Sequence, residues 1–134
     1  MTNRSKGDVD ALLQLYQMYD RHRDAVLWVL HDLTATNYSE YKTQYAGTSR
    51  ERNHFTSICG FFELCGVLVN RKLLDADLFF DIFNPAPFWE RVKPIVEGMR
   101  KSRPHIYENF ERLAAQRQRW TRRRGPKVTP KPRK

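Results

Sequence analysis

Apolar residues recur at helical intervals along most of this chain, and no stretch reads as a strand. Leu12, Tyr16, Tyr19, Val26, Leu30 and Leu33 fall on a heptad-spaced seam, which predicts one long helix over 8–33 with Arg23 in its single polar slot. Asn37 and Glu40 have capping-box spacing at the head of a short helix that Gly47 ends. Tyr38, Tyr41 and Tyr45 share its face and are expected to lean on the bundle with their hydroxyls in water. Thr48 and Glu51 repeat the capping spacing and open a helix to about residue 72. From Phe55 to Val69 that helix is apolar on nearly every side, which predicts other helices all around it. Gly60 and Gly66 weaken it by about 1 kcal/mol each relative to Ala. The expected return is close approach of a neighbouring backbone.

Asp75 is placed to cap a short helix carrying Leu78, Phe79, Ile82 and Phe83. Asn84-Pro85 begins the next, with Phe88, Trp89, Val92, Ile95, Val96 and Met99 on its apolar side and a kink or break expected at Pro94. Pro104 is expected to open the last helix, through Ile106, Tyr107, Phe110, Leu113 and Ala114, with Trp120 extending the stripe. Beyond Gly125 there are three prolines and no apolar period, so disorder is expected there. The fold class expected is all-α: a single-domain bundle of four to six helices around the 55–69 segment, followed by a basic arm.

Charge divides the chain sharply. Residues 117–134 hold nine Lys or Arg and no Asp or Glu, while the first 116 hold fifteen of each sign. The whole formal charge of +9 therefore belongs to the arm. This predicts a neutral helical domain over 1–116 and a cationic arm over 117–134 that seeks polyanions. Cys59 and Cys65 lie six apart on one helix, on different faces and about 9 Å along the axis, too far to bridge. They are expected as buried free thiols of a reducing compartment. The N-terminal residues lack an apolar signal region, and the longest apolar run carries Glu63, so a cytoplasmic protein is expected.

The run Phe61-Phe62-Glu63-Leu64-Cys65-Gly66-Val67-Leu68-Val69, followed by Arg71-Lys72-Leu73-Leu74-Asp75 and later Phe88-Trp89, resembles a bacterial family of unknown function, the domain of unknown function numbered 4760. The resemblance covers roughly residues 50–115. It implies an all-α fold and no catalytic role.

Glu63 is the only carboxylate between Arg52 and Lys72. A carboxylate on an apolar helix needs a partner. If the first two long helices run antiparallel with residue 33 near residue 50, Glu63 falls within a turn of Arg23. A buried Arg23–Glu63 pair is expected, with the hydroxyl of Tyr16 or Tyr19 as the substitute partner. His22, His31, His54 and His105 show no ligand spacing, and no Cys-x-x-Cys occurs, so no metal and no other cofactor is expected. Arg100 and His105 have the spacing of the Arg-x-x-x-x-His pair of HEPN-type ribonucleases, but Pro104 opposes a continuous helical presentation. No catalytic residue is assigned, and the chain is read as a non-enzymatic interaction module.

The arm carries the expected function. On nucleic acid, Arg117, Arg119, Arg122, Arg123, Arg124 and Lys127 would meet phosphates, Trp120 would stack on a base, and binding would be indifferent to sequence. On an anionic membrane surface, each cation contributes up to about 1 kcal/mol, and Trp120 would sit among the headgroups. Nucleic acid is the primary expectation. A membrane-surface regulatory module and, behind it, a HEPN-type ribonuclease are the alternatives.

Overall fold

The computed structural model describes residues 6–125. Among them are seven α-helices and one wide helical turn: α1 (Lys6–Arg21), α2 (Arg23–Leu27), the wide turn Trp28–Asp32, α3 (Tyr38–Gln44), α4 (Arg50–Asn70), α5 (Ala76–Ile82), α6 (Ala86–Met99) and α7 (Glu108–Arg124). The all-α expectation holds, and no strand occurs among the described residues.

α4 is the spine, and its longest partner is α7. Phe55, Ile58, Cys59, Phe61, Phe62, Cys65 and Val69 are buried from it. The core they join is aromatic: Phe62 stacks on Phe110 at 5.2 Å and meets Phe88 at 4.8 Å. α4 is nevertheless not surrounded. Gly60 and Leu64 face solvent, because α7, α2 and α1 cover only part of its circumference. Gly60 thus has no close neighbour, contrary to expectation. Gly66 does: a Cβ there would lie 2.3 Å from the backbone oxygen of Asn109 on α7. Cys59 and Cys65 are buried free thiols, and burial pushes both thiols up from their ordinary range.

The expected long N-terminal helix is three segments. The backbone leaves helical geometry at His22 (φ −101°, ψ 26°). It then widens, and Leu33 N–H reaches the carbonyl five residues back, on Trp28, at 2.9 Å. Arg91 of α6 holds this turn by donating to the carbonyls of Val29 (3.2 Å) and Leu33 (2.7 Å). A guanidinium at exposed helix carbonyls satisfies groups the helix leaves open. The break changes which seam is buried: Leu12 and Leu15 on α1, but Ala25, Val26, Trp28 and Val29 beyond it. Tyr16, expected inside, is 50% exposed.

The caps are local and mostly where the sequence placed them. Asn37 Oδ1 accepts from Glu40 N–H at 2.8 Å, although the Glu40 carboxylate turns to Thr36 rather than closing a box. Asp75 accepts from Leu78 N–H at 2.9 Å. α4 is capped one residue later than expected, by Ser49. Pro94 lies inside α6 without ending it. Pro104 does not open α7, since residues 101–107 form turns and the helix starts at Glu108. Tyr41 is buried against Phe55 at 4.7 Å instead of leaning out, and burial pushes its hydroxyl up to about 12.

Candidate nucleic-acid interface

α7 divides into two faces. Phe110, Leu113, Ala114 and Trp120 are buried. On the opposite side Arg112, Arg119 and Arg123 are exposed. At 100° per residue they lie within about 40° of arc, spread over about 16 Å of axis, with Arg122 beside them. These four cations form a ridge pointing away from the core. Charge alone does not single out Arg112, because it precedes the boundary at 117. Its position seven residues before Arg119, two helical turns, is the signal that finds it.

The boundary at 116 is one of charge and not of structure, because α7 runs unbroken to Arg124. Gly125, at φ 71°, ends it. A left-handed residue after a helix is best supplied by glycine. The expected disorder of the arm and the role of Lys127 lie outside the described residues.

Trp120 corrects the expectation most clearly. Only 7% of it is exposed. Its ring packs 5.7 Å from Phe80, and Nε1–H donates to Asp77 at 2.8 Å. It fastens α7 to α5 and presents no face to a base. Arg117 and Arg124 are drawn to it, their guanidiniums 4.6 and 4.5 Å from the ring. Arg124 also meets Asp81 at 3.4 Å. Arg117 donates to the Thr121 hydroxyl, and its Nε is buried with no hydrogen-bond partner among the described residues. Burial first, and the charge of Arg124 second, hold the Arg117 guanidinium below its ordinary range. Of the expected contacts, Arg119, Arg122 and Arg123 are free to meet phosphate. Arg117 and Arg124 are partly engaged, and Trp120 is withdrawn.

The Arg23–Glu63 pair does not form. Arg23 is 61% exposed and bonds Asp20 at 2.5 Å, three residues back on the same surface. Glu63 is half-buried and faces α7. Its carboxylate accepts from Phe110 N–H and Asn109 Nδ2, both at 2.9 Å. Asn70 reaches the same Asn109 side chain at 3.2 Å. Tyr107, the residue before α7, has φ 58° and supplies no side-chain cap. Glu63 therefore caps α7 from α4, a carboxylate at the positive end of a helix dipole.

Arg100 and His105 do not converge. Arg100 donates to the Ile106 carbonyl (3.1 Å) and to Glu111 (2.9 Å) and lies over Trp89. His105 points outward and meets Glu108 at 3.0 Å. The Arg100 side chain holds the 101–107 turns in place. Among the described residues no group of three or more His, Cys, Asp or Glu is placed to hold a metal ion, and no helix is long and apolar enough to cross a membrane.

Comparison with known proteins finds no match among curated proteins and none among solved structures. A family model matches residues 6–120, reaching from the first described helix to Trp120. It thus includes the Glu63–Asn109 junction and, of the cationic ridge, Arg112 and Arg119. The chain belongs to the family described as a domain of unknown function, DUF4760.

Proposed function

We propose that this protein is a non-enzymatic helical module that binds nucleic acid, without sequence preference, through the cationic end of α7 and the arm that follows. The observation that carries the reading is the exposed Arg112–Arg119–Arg122–Arg123 ridge, continuous in sequence with an arm that has no acidic residue. Such a surface neutralises phosphates and releases their counterions. Arginine can read a guanine edge, but four arginines alone on an exposed helix side offer no varied pattern of donors and acceptors, which favours backbone contact. The charge balance of residues 1–116 leaves the arm and ridge as the seat of attraction.

Affinity for labelled RNA and DNA, measured across a salt series, tests the reading. Replacing Arg119, Arg122 and Arg123 together by Gln should flatten the log–log salt slope by about 2 on single strands and nearly 3 on duplex. The loss should be equal for all sequences. An unchanged slope overturns the proposal. Binding to anionic vesicles with none to nucleic acid gives the membrane reading instead.

A further inference from the structure

The connection between α5 and α6 separates two concavities, and Asn84 borders both. The first, about 430 Å³, lies against the last turns of α7. Arg117, Gln118, Thr121 and Arg122 line it, and no carboxylate does. The second, about 360 Å³, is an apolar groove whose walls include Tyr16, Tyr19, Ile82, Phe83 and Phe88.

Each half lacks a partner of a particular kind. In the first, Arg117 keeps a buried Nε with no acceptor among the described residues. It also sits beside Arg124 on the same indole ring, a like-charge neighbour. An anion with several acceptor oxygens entering this concavity would meet the two guanidiniums that line it, Arg117 and Arg122, and relieve the repulsion. In the second, Tyr16 is 50% and Ile82 54% exposed, so an aromatic ring and a branched aliphatic chain stand in water at the mouth of a groove that no charged side chain lines. A flat, weakly polar ring system is the natural cover, because stacking on an aromatic side chain tolerates any base. Phosphate and base are covalently joined, and so are the two concavities, through one residue.

We propose that the saddle at Asn84 seats one nucleotide of a single strand, its phosphate over Arg117 and Arg122 and its base against Tyr16 in the apolar groove. This rests on the nucleic-acid reading and sharpens it. A duplex keeps its bases stacked inside and can use only the cationic half. The stacking residue is then Tyr16, on α1, in place of the buried Trp120.

Three probes separate the halves: a short oligothymidylate, the same sugar–phosphate strand without bases, and a duplex. Tyr16→Ala should weaken the oligothymidylate about tenfold, with the base-free strand and the duplex unchanged. Tyr16→Phe, which keeps the ring, should restore the affinity. Arg117→Gln should weaken oligothymidylate and base-free strand alike. Tyr16 is half exposed, so both tyrosine variants should keep the parent's helical circular dichroism. If Tyr16→Ala binds oligothymidylate as well as the parent does, or if the base-free strand binds equally tightly, the seat is wrong while the ridge reading stands. If no strand binds, both fall.

Discussion

The two halves of α7 are held by opposite means. The first half, Glu108 to about Ala115, is fixed at its start by backbone and then by the buried Phe110, Leu113 and Ala114. Gly66 lets the main chain of α4 come up against Asn109, Glu63 takes the Phe110 N–H, and Asn70 and Arg100 close the flanks. The second half has one buried anchor, the Trp120 ring, and otherwise carries charge outward. The first half has little freedom and one open cation, Arg112. The second has the other three ridge cations, one buried anchor and the exposed Arg124–Asp81 contact. On the function proposed above, a helix rigid at one end and lightly tied at the other would let its cations follow a flexible polymer.

The largest expected effect strikes that buried anchor. Trp120→Ala should cost about 3–5 kcal/mol of stability. Hydrogen exchange should show the turns after Gln116 opening first, and denaturant melts give the magnitude. A loss confined to nucleic-acid affinity, with stability intact, would mean the ring is not a structural anchor. Gly66→Ala comes next. The new methyl meets a backbone oxygen that cannot swing away, so overpacking should outweigh the helix-propensity gain and destabilise by about 2 kcal/mol. A stabilised variant would show that the helices separate freely.

Glu63→Ala should cost about 2 kcal/mol, because the Phe110 N–H and the Asn109 amide lose a charged acceptor. Arg23→Ala, by contrast, should leave the unfolding midpoint nearly unchanged, since its ion pair is exposed. Equal losses from the two would restore the pairing that the sequence suggested.

A smaller effect is pH-dependent. Burial pushes the Tyr107 hydroxyl up to about 12 from the ordinary 10. The folded state therefore holds that proton where the unfolded chain has released it. The resulting stability is complete below pH 10 and is lost as pH rises from 10 to 12. Tyr107→Phe should flatten this alkaline decline in denaturant midpoint. An unchanged decline would place the titration elsewhere, with Tyr41 the next candidate. Smallest of all in stability are Arg119→Gln, Arg122→Gln and Arg123→Gln, each within about 0.5 kcal/mol. Their effect belongs to the salt slope.

Legibility follows locality. Asn37 and Asp75 cap by reaching three residues ahead, Gly125 stops a helix by its own backbone freedom, and all three are readable from their immediate neighbours. Gly66 is readable as a close approach, but its partner is not, since Asn109 lies 43 residues away. Glu63 misleads for the same reason. Its lone charge announces a need for a partner, and the assumption of adjacent antiparallel helices supplies Arg23, where α7 with its uncapped amides is the true recipient. The broken first helix escapes because the heptad spacing of Leu12 to Leu33 is real, while the wide turn depends on Arg91 arriving from α6. In the candidate site, Arg112 needs the helical register, whereas Arg119, Arg122 and Arg123 are legible from charge alone. Trp120 is not, because sequence shows an aromatic among cations but not the Asp77 and Phe80 that claim it.

The contact between Gly66 and Asn109 has a mechanical side. Two backbones touching with no side chain between them make a fulcrum, and α7 extends from it as a lever. Arg123 lies fourteen residues beyond Asn109, about 21 Å along the axis. A swing of about 10° at the fulcrum would carry its Cα by nearly 4 Å, on the scale of the spacing between neighbouring charges on a nucleic-acid backbone. The short arm on α4 scarcely moves in the same swing. A pull on the far end would on this geometry be resisted first by Trp120 and then by Phe110, Leu113 and Ala114, before it reached position 66.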